Sequence, residues 1–159
     1  MATWQELTDA APALAAAGEH LLTQFGPGLG YLATIRADGG PRLHPICPVI
    51  HGGELWAFVI TASPKCADLR RDGRYALHAF PPDEVDDEFV VHGTAAEATD
   101  LRFGDERWEQ LCAATSASVG REDETPFRLG VDSAMLATYA ARGVFPPTYE
   151  TWRAGGSGC

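Results

Sequence analysis

Apolar residues at Leu14, Ala17, Leu21 and Phe25 fall on one face of a helix over 13–25. Pro12 suits its first turn, and Gly26-Pro27-Gly28 stops it. The period then changes. YLATIR (31–36) and RLHPICPVI (42–50) are β-rich runs joined by Ala37-Asp38-Gly39-Gly40-Pro41, a hairpin signal. After the turn His51-Gly52-Gly53, a third strand covers 54–62, and the three read as a meander. A short helix at 64–72 precedes a strand at 74–80. Pro81-Pro82 and an acidic loop over 83–88 lead to a long strand at 89–99. Asp100 is placed to cap a helix over 103–117 that buries Phe103, Trp108, Leu111 and Cys112. A sixth strand spans 127–140, and FPPTYETWRAG closes the chain as a turn-rich piece.

Six strands with closely spaced turns and few helices predict a mainly β (α+β) domain whose strands close into a barrel. The domain is expected over 1–154, with 155–159 a flexible tail. Within the second strand, Pro45 and Pro48 remove two backbone donors. That strand is therefore an edge, or bent, and leaves backbone groups open either to a ligand or as an edge blunted against aggregation. Alternation puts Arg42, His44 and Ile46 on one of its faces, expected to look outward, and Leu43, Pro45 and Cys47 on the other, expected to look inward.

Composition narrows the function. The chain has 159 residues, 45 % hydrophobic and 21 % charged, enough for one soluble core. No apolar run reaches the ~18 residues that would span a bilayer. MATWQELTDAAP has neither the basic start nor the apolar centre of a signal peptide. Four cysteines without a C-x-x-C pair fit reduced thiols, so a cytoplasmic location is expected. Arginine in place of lysine, with many alanines and glycines, points to a GC-rich bacterial genome. The net charge of -10 argues against nucleic acid. The charge is uneven, however: residues 36–74 hold six basic and four acidic side chains, +2, which leaves -12 elsewhere. A small anion would sit in that stretch, the plain alternative being two hairpins and a helix that carry solvated charges.

Lys65 stands there, the only lysine in the chain. It follows Ser63-Pro64 at a helix start, where free N–H groups and the positive end of a dipole favour an anion. Thr61 and Ser63 add hydroxyl donors, so three phosphate oxygens have candidate partners. T-x-S-x-K alone is a weak pattern, and an N-capping serine beside a solvated lysine is its plain alternative. The five histidines show no zinc spacing such as H-E-x-x-H, so no metal site is expected. No nucleophile elbow supports hydrolase chemistry. Cys66, beside Lys65 at the helix start, is read as a small residue filling the seam between helix and barrel.

GYLATIRADGGPRLHPICPV, ELWAFVITASPKCADLRRDGRYAL and DDEFVVHGTAAEATD, in that order, resemble the pyridoxamine 5'-phosphate oxidase-like flavin-binding split-barrel proteins. The resemblance covers residues 14–100 well and the last third loosely. It implies a six-stranded split barrel with an N-terminal helix and short flanking helices. It also implies a homodimer, with FMN or a deazaflavin coenzyme bound in grooves at the interface. On this resemblance Thr61, Ser63 and Lys65 hold the phosphate, while His44, Pro45 and Ile46 line the flavin ring, with Arg42 at either contact. Trp152 packs over the ring from the partner or serves as a core or interface residue. Haem binding occurs in relatives of the fold, with His44 or His78 as candidate ligands. The arginine- and histidine-bearing end of the vitamin B6 oxidases is missing after Tyr149, so the expected activity is that of an oxidoreductase moving hydride to or from another small molecule, with a non-catalytic flavin-binding protein for storage or sensing as the alternative. No side chain is assigned as catalytic.

Overall fold

A computed structural model describes residues 1–26, 28–113 and 120–155. Its elements, in chain order, are α1 (Trp4–Ala10), α2 (Pro12–Thr23), β1 (Gly30–Ile35), β2 (Pro41–Ile46), β3 (Pro48–His51), β4 (Glu54–Ile60) and α3 (Pro64–Arg71). There follow β5 (Arg74–Ala79), β6 (Glu88–Glu97), α4 (Glu106–Ala113), β7 (Glu124–Leu129), β8 (Ser133–Thr138) and β9 (Thr148–Arg153).

The strands form one antiparallel sheet in the order β2-β1-β5-β6-β7-β4-β3, with β8 on β6 and β9 on β8. Its two ends, β2 and β3, are consecutive in the chain and separated only by Cys47. The sheet therefore curls until the expected second strand closes it, bent at its middle between Pro45 and Pro48. Proline cannot donate to a ladder, so a bend beside two prolines sacrifices little pairing. This bend corrects the expected meander: β2 pairs with β1 and β3 with β4, so the halves serve opposite ends of the sheet. The predicted sixth strand divides as well. β7 pairs with β6 over Ala95–Glu97 and β8 pairs with β6 over Glu88–His92. Two divided strands and the added β9 turn six expected strands into nine, and β9 lies in the piece expected to be turns.

The helices also differ from expectation. α1 was not predicted, although Thr3 and Glu6 form a complete capping box and Trp4 and Leu7 are buried. α2 stops at Thr23, and Phe25 is left 44 % exposed instead of joining the helix's buried face. α4 starts at Glu106. Asp100 does not cap it but pairs with Arg107 and Arg128. The rest of that expected helix, 114–117, lies outside the described residues, as do residues 156–159 of the expected tail. Phe103 is exposed, while Trp108 and Leu111 are buried in a second cluster with Val49, Trp56 and Phe58. The main core lies inside the curled sheet, with Leu32, Leu77, Phe89 and Phe127 at its centre and Cys66 and Leu69 of α3 plugging it. α3 thus fastens onto the barrel by its own apolar side, and this fixes where Lys65 sits.

Candidate functional site

α3 begins where β4 ends. Ser63 has extended backbone and its hydroxyl accepts the Cys66 N–H at 3.3 Å, an N-cap with Pro64 in the first turn. Cys66, Asp68 and Leu69 face inward. Two apolar anchors make that side easy to understand, but the third is a carboxylate, 3 % exposed. A buried carboxylate needs partners. Asp68 accepts from Arg42 Nε at 2.6 Å, from Thr34 Oγ1 at 3.1 Å and from Arg71 at 3.2 Å. Burial alone would raise its pKa, but the hydrogen bonds from Arg42, Arg71 and Thr34 outweigh it and hold the carboxyl below the ordinary aspartate value.

This clamp explains a correction on β2. Arg42, His44 and Ile46 face inward and Leu43 and Pro45 outward, the reverse of the expectation. Register puts Arg42 opposite Thr34, His44 opposite Leu32 and Ile46 opposite Gly30, all buried positions of β1. A charged residue takes the inner face because Asp68 is there to receive it. Ile46 joins the main core and Pro45 is exposed on the outer face, so their side chains do not share one surface.

Lys65, one turn before Asp68, is half-buried and makes no hydrogen bond or ion pair with the other described residues. Burial pushes its ammonium below the ordinary lysine value, while Cys47 and Glu124 partly restore it. Nearby, His44 Nε2 is buried without a hydrogen-bond partner among the described residues. Burial, followed by the charges of Lys65 and Arg42, lowers the His44 pKa against the opposing pull of Asp68. His44 is therefore neutral at neutral pH.

The expected donors are only partly free. The Thr61 N–H goes to the Asp123 carbonyl and the Ser63 N–H to that of Ile60. Thr61 Oγ1 shares a hydrogen bond with Thr125 Oγ1 at 2.8 Å. Thr125 also accepts from Arg70, whose guanidinium is held by Glu97. Ser63 keeps its hydroxyl proton to donate. The groups fit one anionic head on Lys65, with Ser63 assisting, more closely than a full cradle from three side chains. A cavity of about 330 Å³ adjoins the clamp, lined by Arg36, Asp38, Arg42, Pro64, Ala67 and Asp68.

Trp152 lies apart. It is half-buried against the main core on β9, opposite Ala134, and β8, β6, β5 and β1 intervene between β9 and β2 in the sheet. His78 Nδ1 is engaged by the Ala79 carbonyl at 2.5 Å. Among the described residues no group of three or more His, Cys, Asp or Glu is arranged to hold a metal ion, and no helix is long and apolar enough to cross a membrane. The sequence reading missed Asp68 and Thr34. The only signal was Asp68's place three residues after Lys65, which an exposed aspartate would share.

No family model and no curated protein matches the sequence. Solved structures do match. A heme-binding protein from Mycobacterium smegmatis superposes with a TM-score of 0.62 at 17 % identity, covering 87 % of this chain and 57 % of that one. The chain thus spans a little over half that protein's length. A Clostridium acetobutylicum protein of the pyridoxine-phosphate oxidase family, related to a general stress protein, gives 0.57 at 14 %, covering 94 % of this chain and 95 % of that one. An F420 reductase gives 0.56 at 20 %, covering 73 % and 94 %. The fold is the split barrel of the pyridoxamine 5'-phosphate oxidase-like proteins. At these identities the likeness extends to the fold alone.

Proposed function

We propose that the protein is an FMN-binding oxidoreductase that works as a homodimer, with the cofactor's phosphate held by Lys65. The observation that carries this reading is the half-buried Lys65 ammonium, which makes no hydrogen bond or ion pair among the described residues and feels only the more distant charge of Glu124, beside a buried imidazole nitrogen that no described residue partners. Leaving both groups so in a folded protein is costly unless a ligand completes them. When bound, a flavin supplies hydride transfer itself. The chain's part is to hold and orient. Lys65 and Ser63 grip the anionic head at the positive end of α3. The Asp68 clamp locks β2 against α3, and so fixes the distance from that grip to the sheet edge where the ring would lie. On the outer face, Leu43 is 64 % exposed next to Pro45, and Tyr31 stacks on Phe80 at 4.1 Å. This apolar surface favours a second copy as the other wall of the groove. A deazaflavin coenzyme has the same kind of head and the same demand on Lys65.

The test is an absorption spectrum followed by titration with FMN and with the deazaflavin coenzyme. Saturation at one cofactor per chain is expected. Lys65→Ala should weaken binding by at least ~10-fold, the scale of a lost charge-assisted contact of about 1.5–3 kcal/mol. An affinity within a factor of ~2 of the native protein would sink the phosphate role. Bound cofactor that reoxidises no faster with quinones, dyes or enones than free cofactor would leave a binding module in place of an enzyme.

A further inference from the structure

α3 and β2 run past each other in step. Lys65 and Asp68, three residues apart, share one side of the helix about 4.5 Å apart along its axis. Arg42 and His44, two residues apart, share the inner face of the strand with a spacing of about 6.6 Å. The 2.6 Å contact between Asp68 and Arg42 pins one rung of this ladder. One turn back along the helix and two residues on along the strand, the next pair by this spacing is Lys65 and His44. The field of Lys65 is accordingly felt at His44. Beyond it lies Cys47, at the bend between β2 and β3 and near Lys65.

We propose that His44 is part of the anion subsite with Lys65, and that an oxyanion bound there draws one proton from solvent onto the imidazole. The proposal rests on the reading of Lys65 as a phosphate anchor and deepens it. It also moves His44 from the ring to the anionic head. The charged and titratable groups around the pair are few. β2 brings Arg42, α3 brings Lys65, Asp68 and Arg71, the bend brings Cys47, and β7 brings Glu124 near Lys65. Without a ligand, protonated His44 would be a further cation near Lys65 and Arg42, with its Nε2 shielded from water. Asp68 offers little relief, since Arg42, Arg71 and Thr34 already divide its charge. A tetrahedral oxyanion on Lys65 reverses that balance. The imidazolium gains an opposite charge, and Nε2 gains as a donor the hydrogen-bond partner it lacks.

The sign follows by linkage. Binding raises the His44 pKa, so the complex holds more protons than the free protein, and affinity rises as pH falls toward and through the free-state value. Sulfate is the probe, because its charge stays constant between pH 5 and 8. Proton NMR of the imidazole C–H signals is recorded against pH with and without saturating sulfate, and His44→Gln identifies the His44 signal. His44 should titrate below the ordinary histidine value when free and move up by about one pH unit or more with sulfate. Sulfate affinity should rise several-fold from pH 7.5 to 5.5 in the native protein and stay flat in His44→Gln. If sulfate binds in a Lys65-dependent way while the His44 titration stays put, the proposal is overturned and the Lys65 anchor stands. If neither sulfate nor FMN binds at any pH, the anchor fails and the proposal falls with it.

Discussion

Asp68 is a carboxylate at 3 % exposure holding two guanidiniums and a hydroxyl. Asp68→Asn removes the charge and points an amide N–H at groups that are themselves donors. Arg42 and Arg71 would then be cations without a counter-ion, and a broken buried pair typically costs about 3–5 kcal/mol. A fall of that size in unfolding free energy, measured in urea at pH 7, is expected. The pH dependence separates charge from shape. The folded pKa of Asp68 lies below the unfolded value of 3.8, so its stabilisation is present above pH 3.8 and lost as pH falls through the folded value. The gap between native protein and variant should narrow in that acid range. A constant gap would show that shape, and not charge, is lost. None of this was legible in the residues around Asp68, where A-D-L-R-R reads as a solvated helix turn. Lys65 was legible because a lone lysine among arginines is visible in one dimension. A carboxylate made necessary by residues 26 and 34 positions away is not.

At the scale of elements, the sheet depends on strands that change partner. β6 pairs with β5 along one side, while on the other it meets β8 up to His92 and β7 from Ala95. Gly93 stands at that change, and a Cβ there would lie 1.7 Å from the Gly130 carbonyl oxygen. The same oxygen accepts the buried Tyr75 hydroxyl at 3.0 Å. Backbone, not a flexible side chain, is the obstacle, so Gly93→Ala must push β7–β8 off β6 at the bend. Overpacking of this kind costs about 1–3 kcal/mol, and an obstacle in the backbone favours the upper end. Denaturant unfolding should show that loss, and a variant as stable as the native protein would mean that the strands do not meet there as closely as described. Such bends also mark where sequence reading stopped. Strand positions were clear from β-rich runs and turn residues: β2–β3 and β8 fall within predicted strands to within a residue, while β7 begins at Glu124, three residues before the predicted start. Alternation gives two faces without saying which is inner. The faces of β2 were therefore inverted, since charge normally means outside and here Asp68 makes it inside.

For the whole molecule, the site is a place where the free protein carries a cost. The chain has a net charge of -10, yet among the described residues Lys65 makes no ion pair and His44 Nε2 has no hydrogen-bond partner. A ligand that meets the native state and not the unfolded chain stabilises it by mass action, about 2.7 kcal/mol at a hundred times Kd. For a chain of this length 1 kcal/mol shifts Tm by roughly 2–4 °C, so saturating FMN should raise it by about 5–10 °C. Riboflavin provides the control, because it carries the ring without the phosphate. Under the proposed anchoring, riboflavin at equal concentration gives a clearly smaller shift, and in Lys65→Ala the two ligands become alike. Equal shifts in the native protein would place the binding energy in the ring groove and leave Lys65 a solvated helix residue. Protein concentration adds a further reading. If the groove needs a second copy as its other wall, cofactor and dimer stabilise each other, and Tm should rise with protein concentration more steeply with FMN than without. A Tm independent of concentration in both conditions would mean that one barrel holds its ligand alone, and the apolar face around Leu43 and Pro45 would then need another partner.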